Sequence, residues 1–114
     1  MTGGEREGDT AIIGVVESIP VGAAWYRFYR TSNAIRGYID EITPVLVLAV
    51  APEHRRRGIG TKLLTNLIER AAERGIHRLS LMVSDDNPAY ALYKKCGFRE
   101  YASEGDSNLM IRLV

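Results

Sequence analysis

Two hydrophobic periods alternate along the chain. Ala11 to Glu17 and Val21 to Tyr29 are dense in Ile, Val, Trp, Phe and Tyr, and Ser18-Ile19-Pro20 between them reads as a turn, which predicts an antiparallel hairpin. After a polar stretch from Thr31 to Gly37 comes the unbroken run Pro44-Val45-Leu46-Val47-Leu48-Ala49-Val50, the pattern of a strand covered on both faces and stopped by Pro52. From Gly58 to Arg74 the period changes: Ile59, Leu63, Leu64, Leu67, Ile68, Ala71 and Ala72 recur at helical spacing against Lys62, Asn66, Glu69, Arg70 and Glu73, and Gly75 closes the helix. His77 to Ser84 is a further strand with both faces covered. A shorter helix follows, capped at Asp86 or Asn87, with Pro88 in its first turn and Lys94 and Lys95 near its end at Gly97. Phe98 to Tyr101 and Asn108 to Leu113 are the last strands, joined at Glu104-Gly105-Asp106. The order predicts an α/β (α+β) fold, a mixed sheet with helices packed on it.

Composition narrows the class. With 114 residues, 46% hydrophobic and 25% charged, the chain is long enough to build a core without staples. Residues 1–9, with Gly3, Gly4 and Gly8 among charges, are expected to be a flexible tail, and residues 10–114 one domain. The single Cys96 excludes an internal disulfide and a multi-cysteine metal cluster, and fits a reducing compartment, the cytoplasm. No run is long enough to span a membrane and no leader pattern opens the chain. Fifteen Lys and Arg against fourteen Asp and Glu leave a charge of +1, which disfavours general nucleic-acid binding.

The positive charge is concentrated where the chemistry is expected. Val50-Ala51-Pro52-Glu53-His54-Arg55-Arg56-Arg57-Gly58-Ile59-Gly60-Thr61 joins a buried strand to a helix start. Gly58 and Gly60 would let the backbone approach a ligand, the first-turn N–H groups point outward, and the arginines add charge, so the segment suits a phosphate or pyrophosphate. A solvated arginine run is the bland alternative.

Arg55-Arg56-Arg57-Gly58-Ile59-Gly60 resembles the Arg/Gln-x-x-Gly-x-Gly/Ala signature of the GNAT superfamily of N-acetyltransferases. Asn87-Pro88-Ala89-Tyr90-Ala91-Leu92-Tyr93-Lys94-Lys95-Cys96-Gly97-Phe98 is similar to that family's Asn-…-Leu-Tyr-x-x-x-Gly-Phe segment, in the matching order. The resemblance implies a mostly antiparallel mixed sheet with a splayed central strand pair, and acetyl-CoA as acetyl donor to an amine acceptor. It implies that backbone groups of Leu48, Ala49 and Val50 bond the pantetheine arm, that Arg55, Arg56, Arg57, Gly58, Ile59, Gly60 and Thr61 hold the pyrophosphate, and that Asn87 contacts the cofactor. Tyr93 would protonate the departing thiolate after direct attack of the amine, with the N–H of Val50 or a neighbour facing the oxyanion. Without the motif, Tyr93 reads as a packing residue. A CoA-binding or regulatory module with little turnover is the alternative.

The general base is open. The strand position that many relatives fill with glutamate falls near Pro44, with Asp40 and Glu41 just upstream, while His54 reads as a solvated loop residue and His77 as a strand-edge one. Cys96, near a helix C-terminus, meets the end of the dipole that disfavours a thiolate and is expected to pack. The family usually begins with a strand and one or two helices walling the acceptor site, which residues 1–9 cannot form. A truncated chain, an open acceptor site or a partner subunit would each account for this, and with either of the last two Trp25, Tyr26, Phe28 and Tyr29 would face water unless a homodimer covers them.

Overall fold

The computed structural model describes residues 8–55 and 58–114. Six strands, β1 (Thr10–Val16), β2 (Ile19–Arg27), β3 (Val45–Val50), β4 (Arg78–Ser84), β5 (Arg99–Glu104) and β6 (Ser107–Leu113), form one sheet in the order β1-β2-β3-β4-β6-β5. Every neighbouring pair is antiparallel except β3 and β4. Helix α1 (Ile59–Glu73) connects β3 to β4 and lies across β1, β2 and β3, and α2 (Ala89–Lys95) connects β4 to β5.

The helical period placed the core face of α1 except at Ala72, which is exposed. Leu63, Leu64, Leu67 and Ala71 of α1 are buried against Ala24 and Tyr26 of β2 and Leu46 of β3, and the cluster continues through Leu79, Leu81, Val83, Tyr93, Phe98 and Met110. Each leucine fully buried there contributes about 2 kcal/mol of transfer free energy.

Three expectations change. The hairpin turn is Glu17-Ser18, both with left-handed φ (50° and 68°), and Pro20 lies within β2 where the ladder shifts register between Gly14 and Val15. A proline lacks the N–H a ladder needs, so it sits at the irregular end of the pairing. Secondly, none of the four aromatics is fully exposed. Tyr26 is fully buried beneath α1, Phe28 meets it edge-on at 6.3 Å, and Trp25 and Tyr29 are half-buried, with the Arg27 guanidinium 5.8 Å above the Tyr29 ring. Thirdly, Asp9 is not loose. Its carboxylate accepts from the Phe28 N–H at 2.9 Å and pairs with Arg27 at 3.3 Å, with a side chain only 2% exposed.

Tyr26 carries a buried hydroxyl with no hydrogen-bond partner among the described residues. A buried polar group left unpaired costs about 1–3 kcal/mol. Tyr26→Phe is therefore expected to raise the unfolding free energy by about 1 kcal/mol in urea titration, against the usual sign for a core substitution. A loss of that size would mean that the hydroxyl has a partner after all.

Candidate active site

The site is built where the parallel strands part. Only one residue pair, Val45 with Ser80, joins β3 to β4, with the Ser80 N–H donating to the Pro44 carbonyl at 3.1 Å. The loop after β2 is pinned at this point: the Ser80 hydroxyl donates to the Gly37 carbonyl at 2.7 Å. A Cβ on Gly37, whose φ is +97°, would come within 3.0 Å of Val45 and 3.4 Å of the Met82 nitrogen. Beyond the bridge the strands diverge. The run expected to be covered on both faces is so covered only at Val45 and Leu46; Val47, Leu48 and Val50 are half-buried and Ala49 is exposed, because β4 is no longer alongside.

Register decides which backbone groups face the opening. The Ala51 N–H donates to the Val21 carbonyl at 2.7 Å, and antiparallel pairs alternate between bonded and non-bonded. Val45, Val47 and Ala49 therefore turn their N–H and C=O toward β2, whereas Leu46, Leu48 and Val50 turn theirs toward β4. Leu48 and Val50 lie past the bridge and point into the gap. Ala49, expected to join them, spends its backbone on the β2 ladder.

The strand ends at a short 3-10 turn, Pro52–His54, before α1 begins. Gly58 precedes α1 with φ +79°, a left-handed conformation that glycine adopts without strain, and no atom lies within 4 Å of where its Cβ would be. No side chain caps the helix, and its first bond among the described residues runs from the Lys62 N–H to the Gly58 carbonyl at 3.1 Å. The N–H groups of Ile59, Gly60 and Thr61 are thus presented without a protein acceptor among the described residues, at the positive end of a fifteen-residue helix. Gly60 has a different task from the one expected. A Cβ there would meet Leu92 at 3.0 Å, Leu48 at 3.6 Å and Val50 at 3.8 Å, so Gly60 lets α1, β3 and α2 close on one another.

Arg55 folds its Nε back toward the Val50 carbonyl at 3.3 Å and is exposed. Arg56 and Arg57 lie outside the described residues. His54 is half-buried rather than solvated, and its Nδ1 is buried with no partner among the described residues. An open Gly58 cradle, free N–H groups and an orphaned imidazole nitrogen together fit an anionic ligand.

Tyr93 is 6% exposed, packs against Phe98 at 5.8 Å, and follows Leu92, the residue that touches the Gly60 turn. Burial pushes its hydroxyl pKa up to about 12. The Asn87 carboxamide oxygen accepts the Ala89 N–H at 2.9 Å at the start of α2, whose N-cap is Pro88 rather than the expected Asp86 or Asn87. Asp40 is committed elsewhere. It pairs with Arg78 at 2.8 Å and accepts the Ile42 N–H at 3.1 Å; slight desolvation pushes its pKa up, but the bonds from Thr43, Arg78 and Ile42 and the Arg78 charge outweigh it and hold the carboxyl below its ordinary value. Glu41 is exposed and lines a cavity of about 430 Å³ beside His77 and Gly75, at the end of α1 far from Gly58. The Cys96 thiol is pushed up by burial, more than Lys95 and Arg112 pull it down, consistent with packing. Sequence reasoning missed Gly37, for which Ser80, a polar residue in an apolar strand, was the available signal, and gave Leu92 no task although it stands in the Leu-Tyr pair of the quoted segment.

The sheet opens between two parallel strands, with a helix N-terminus at its mouth. The chain belongs to the acetyltransferase (GNAT) family, whose model matches residues 4–98. It is 44% identical over 59 residues to mycothiol acetyltransferase of Clavibacter sepedonicus, which covers 51% of this chain and 19% of that relative, so the chain matches about a fifth of the longer protein. The ribosomal-protein-alanine N-acetyltransferase structure from Brucella melitensis superposes with a TM-score of 0.78 at 28% identity, covering 95% of this chain and 70% of that one. The PaiA N-acetyltransferase of Thermoplasma acidophilum, solved with coenzyme A, shares the fold at a TM-score of 0.76 and 20% identity over 93% and 61% of the two chains.

Proposed function

We propose that this chain binds acetyl-CoA in the β3–β4 opening and transfers the acetyl group to a primary amine by direct attack. The observation that carries the reading is the edge of β3 left without a strand partner, where the Leu48 peptide groups and the Val50 N–H, the Val50 carbonyl being held by Arg55, lie at strand spacing for a ligand that itself carries amides. Bound acetyl-CoA supplies an activated acyl carbon and a thiolate leaving group.

The protein's own groups have separable tasks. The N–H groups of Ile59, Gly60 and Thr61, with Gly58 clear of side chain and Arg55, Arg56 and Arg57 adjoining, hold the pyrophosphate. The Val50 N–H faces the carbonyl oxygen as charge develops, and a pre-aimed donor of this type contributes about 3 kcal/mol. The Asn87 NH₂ orients the arm of the ligand. Tyr93 donates its hydroxyl proton toward the thiolate.

Pro44 stands where a strand carboxylate would serve as base, and Asp40 is held by Arg78. The amine is then required to arrive neutral, directly or through water. The same two residues favour the second reading, a CoA-binding module with little turnover. Relatives named for L-2,4-diaminobutyric acid and, as an N-acetyltransferase, for the alanine of ribosomal protein bS18 support amine acceptors as the class.

Calorimetric titration with acetyl-CoA and with CoA, followed by thiol release over a panel of an Ala-terminated peptide, diaminobutyrate and an amino sugar, separates the readings. Saturable binding with amine-dependent thiol release is expected. Binding without release would favour the module, and a folded chain that binds neither would sink both.

A further inference from the structure

The opening between β3 and β4 begins at one rung of the sheet, and the loop between β2 and β3 is fastened at that rung. Two β4 side chains hold the loop. The Ser80 hydroxyl donates to the Gly37 carbonyl at 2.7 Å, and the Arg78 guanidinium donates to Asp40 and to the Thr43 hydroxyl, each at 2.8 Å. Ser80 is fully buried between the core residues Leu79 and Leu81, away from water, so the bond to Gly37 is what accounts for a hydroxyl at this position.

The loop lies where the ladder stops. The Ser80 N–H donates to the Pro44 carbonyl, and residues of a strand face its neighbour alternately, so the next rung would join the Met82 N–H to the Leu46 carbonyl. That rung is not formed, since Val45 with Ser80 is the single pair between the two strands. Gly37 is buried at this corner. A Cβ on it would lie 3.0 Å from the Val45 side chain, 3.4 Å from the Met82 nitrogen and 3.5 Å from the Leu81 carbonyl carbon, so its bare backbone bears on both strands at the first missing rung. Glycine alone suits this space at φ +97°. Backbone groups that face each other across two strands ordinarily pair, and here a wedge stands beside them.

We propose that this loop sets the point at which β3 and β4 part, and that Ser80 is the positioning residue that holds it in place. The inference rests on the reading that the arm of acetyl-CoA lies along β3 at Leu48 and Val50. One more rung would draw β4 alongside Leu46 and narrow the space for that arm. Ser80 acts through Gly37 and the strand spacing, not on the ligand.

Amide hydrogen exchange followed by NMR, together with calorimetric titration, tests this on the intact chain and on Ser80→Ala well below their unfolding midpoints. Freed of Gly37, the Met82 N–H is expected to find the Leu46 carbonyl, so its exchange slows about tenfold although the variant has lost a hydrogen bond elsewhere. A hydroxyl that merely stabilised the sheet would give the opposite sign. Affinity for S-acetylpantetheine is expected to fall about tenfold, the worth of one or two hydrogen bonds, while affinity for adenosine 3′,5′-bisphosphate, which has phosphates and no arm, changes less than about twofold. Ser80→Thr, which keeps the hydroxyl, is expected to behave as the parent in both measurements. Met82 exchanging as fast or faster in Ser80→Ala, unchanged binding of S-acetylpantetheine by that variant, or a folded Ser80→Thr that behaves like Ser80→Ala would each overturn the proposal. A parent that binds neither acetyl-CoA nor S-acetylpantetheine would instead remove the proposed function, and the Met82 exchange rate would still decide whether the loop is the wedge.

Discussion

Tyr93→Phe is expected to lower the acetyl-transfer rate about 100-fold or more while changing the affinity for acetyl-CoA less than about threefold, the signature of a group that acts only as charge develops. The substitution keeps the ring, its contact with Phe98 and its place in the core, and removes one oxygen. With a pKa near 12 the hydroxyl is neutral at every working pH, so it is always a donor. Full transfer to a thiolate of ordinary pKa near 8.5 is uphill by roughly 5 kcal/mol, so the benefit comes from a hydrogen bond that strengthens as the sulfur becomes negative. The pH profile follows. With no protein base, log(kcat/KM) is expected to rise with unit slope toward the acceptor's own amine pKa, about 10 for an alkylamine. Tyr93 imposes no falling limb below about pH 11, because below its pKa it keeps its proton. Equal rates for parent and variant in a single-turnover thiol-release assay would remove Tyr93 from the chemistry. A fall in acetyl-CoA affinity matching the fall in rate would make it a packing residue.

What the sequence made legible follows from which interactions are local. The helix over Ile59–Glu73 was readable because Leu63, Leu64, Leu67 and Ala71 mark one face by spacing alone, and the start of α2 was readable to within a residue or two because Asn87 and Pro88 act locally. The opening between β3 and β4 was not readable from composition. Val45 to Val50 is apolar whether a neighbouring strand or a ligand covers it, and only pairing shows that Ser80 is the last contact. The family resemblance, not the periodicity, anticipated the splay. Pro20 misled for a local reason: it resembles a turn residue, yet the turn falls to Glu17 and Ser18, neither a glycine. Asp40 could not be excluded as a base from its letters, because its partner Arg78 is 38 residues away. Gly58 and Gly60 look equivalent in the motif, and only the space around each separates the open one from the packed one.

That difference between the two glycines gives the second large effect. Gly58→Asp is expected to reduce CoA affinity at least about 100-fold in calorimetric titration while leaving the chain folded. A carboxylate at this position can accept the N–H groups of the first turn itself, which removes the donors that a pyrophosphate needs and offsets part of the cost of a side chain at φ +79°. It also sets a negative charge beside the ligand's charges, and one such repulsion at about 4 Å near a protein surface is worth up to about 4 kcal/mol. Gly58→Ala separates conformation from charge. No atom crowds its Cβ, but φ +79° costs a residue with a Cβ about 1–2 kcal/mol, so stability falls while affinity changes far less than for Asp. S-acetylpantetheine, which has the arm and no phosphate, is expected to bind parent and Gly58→Asp alike. Should both variants bind CoA as the parent does, the phosphates do not rest on this turn. Should the aspartate variant lose S-acetylpantetheine as well, the defect lies in the β3–β4 opening and not in the anion site.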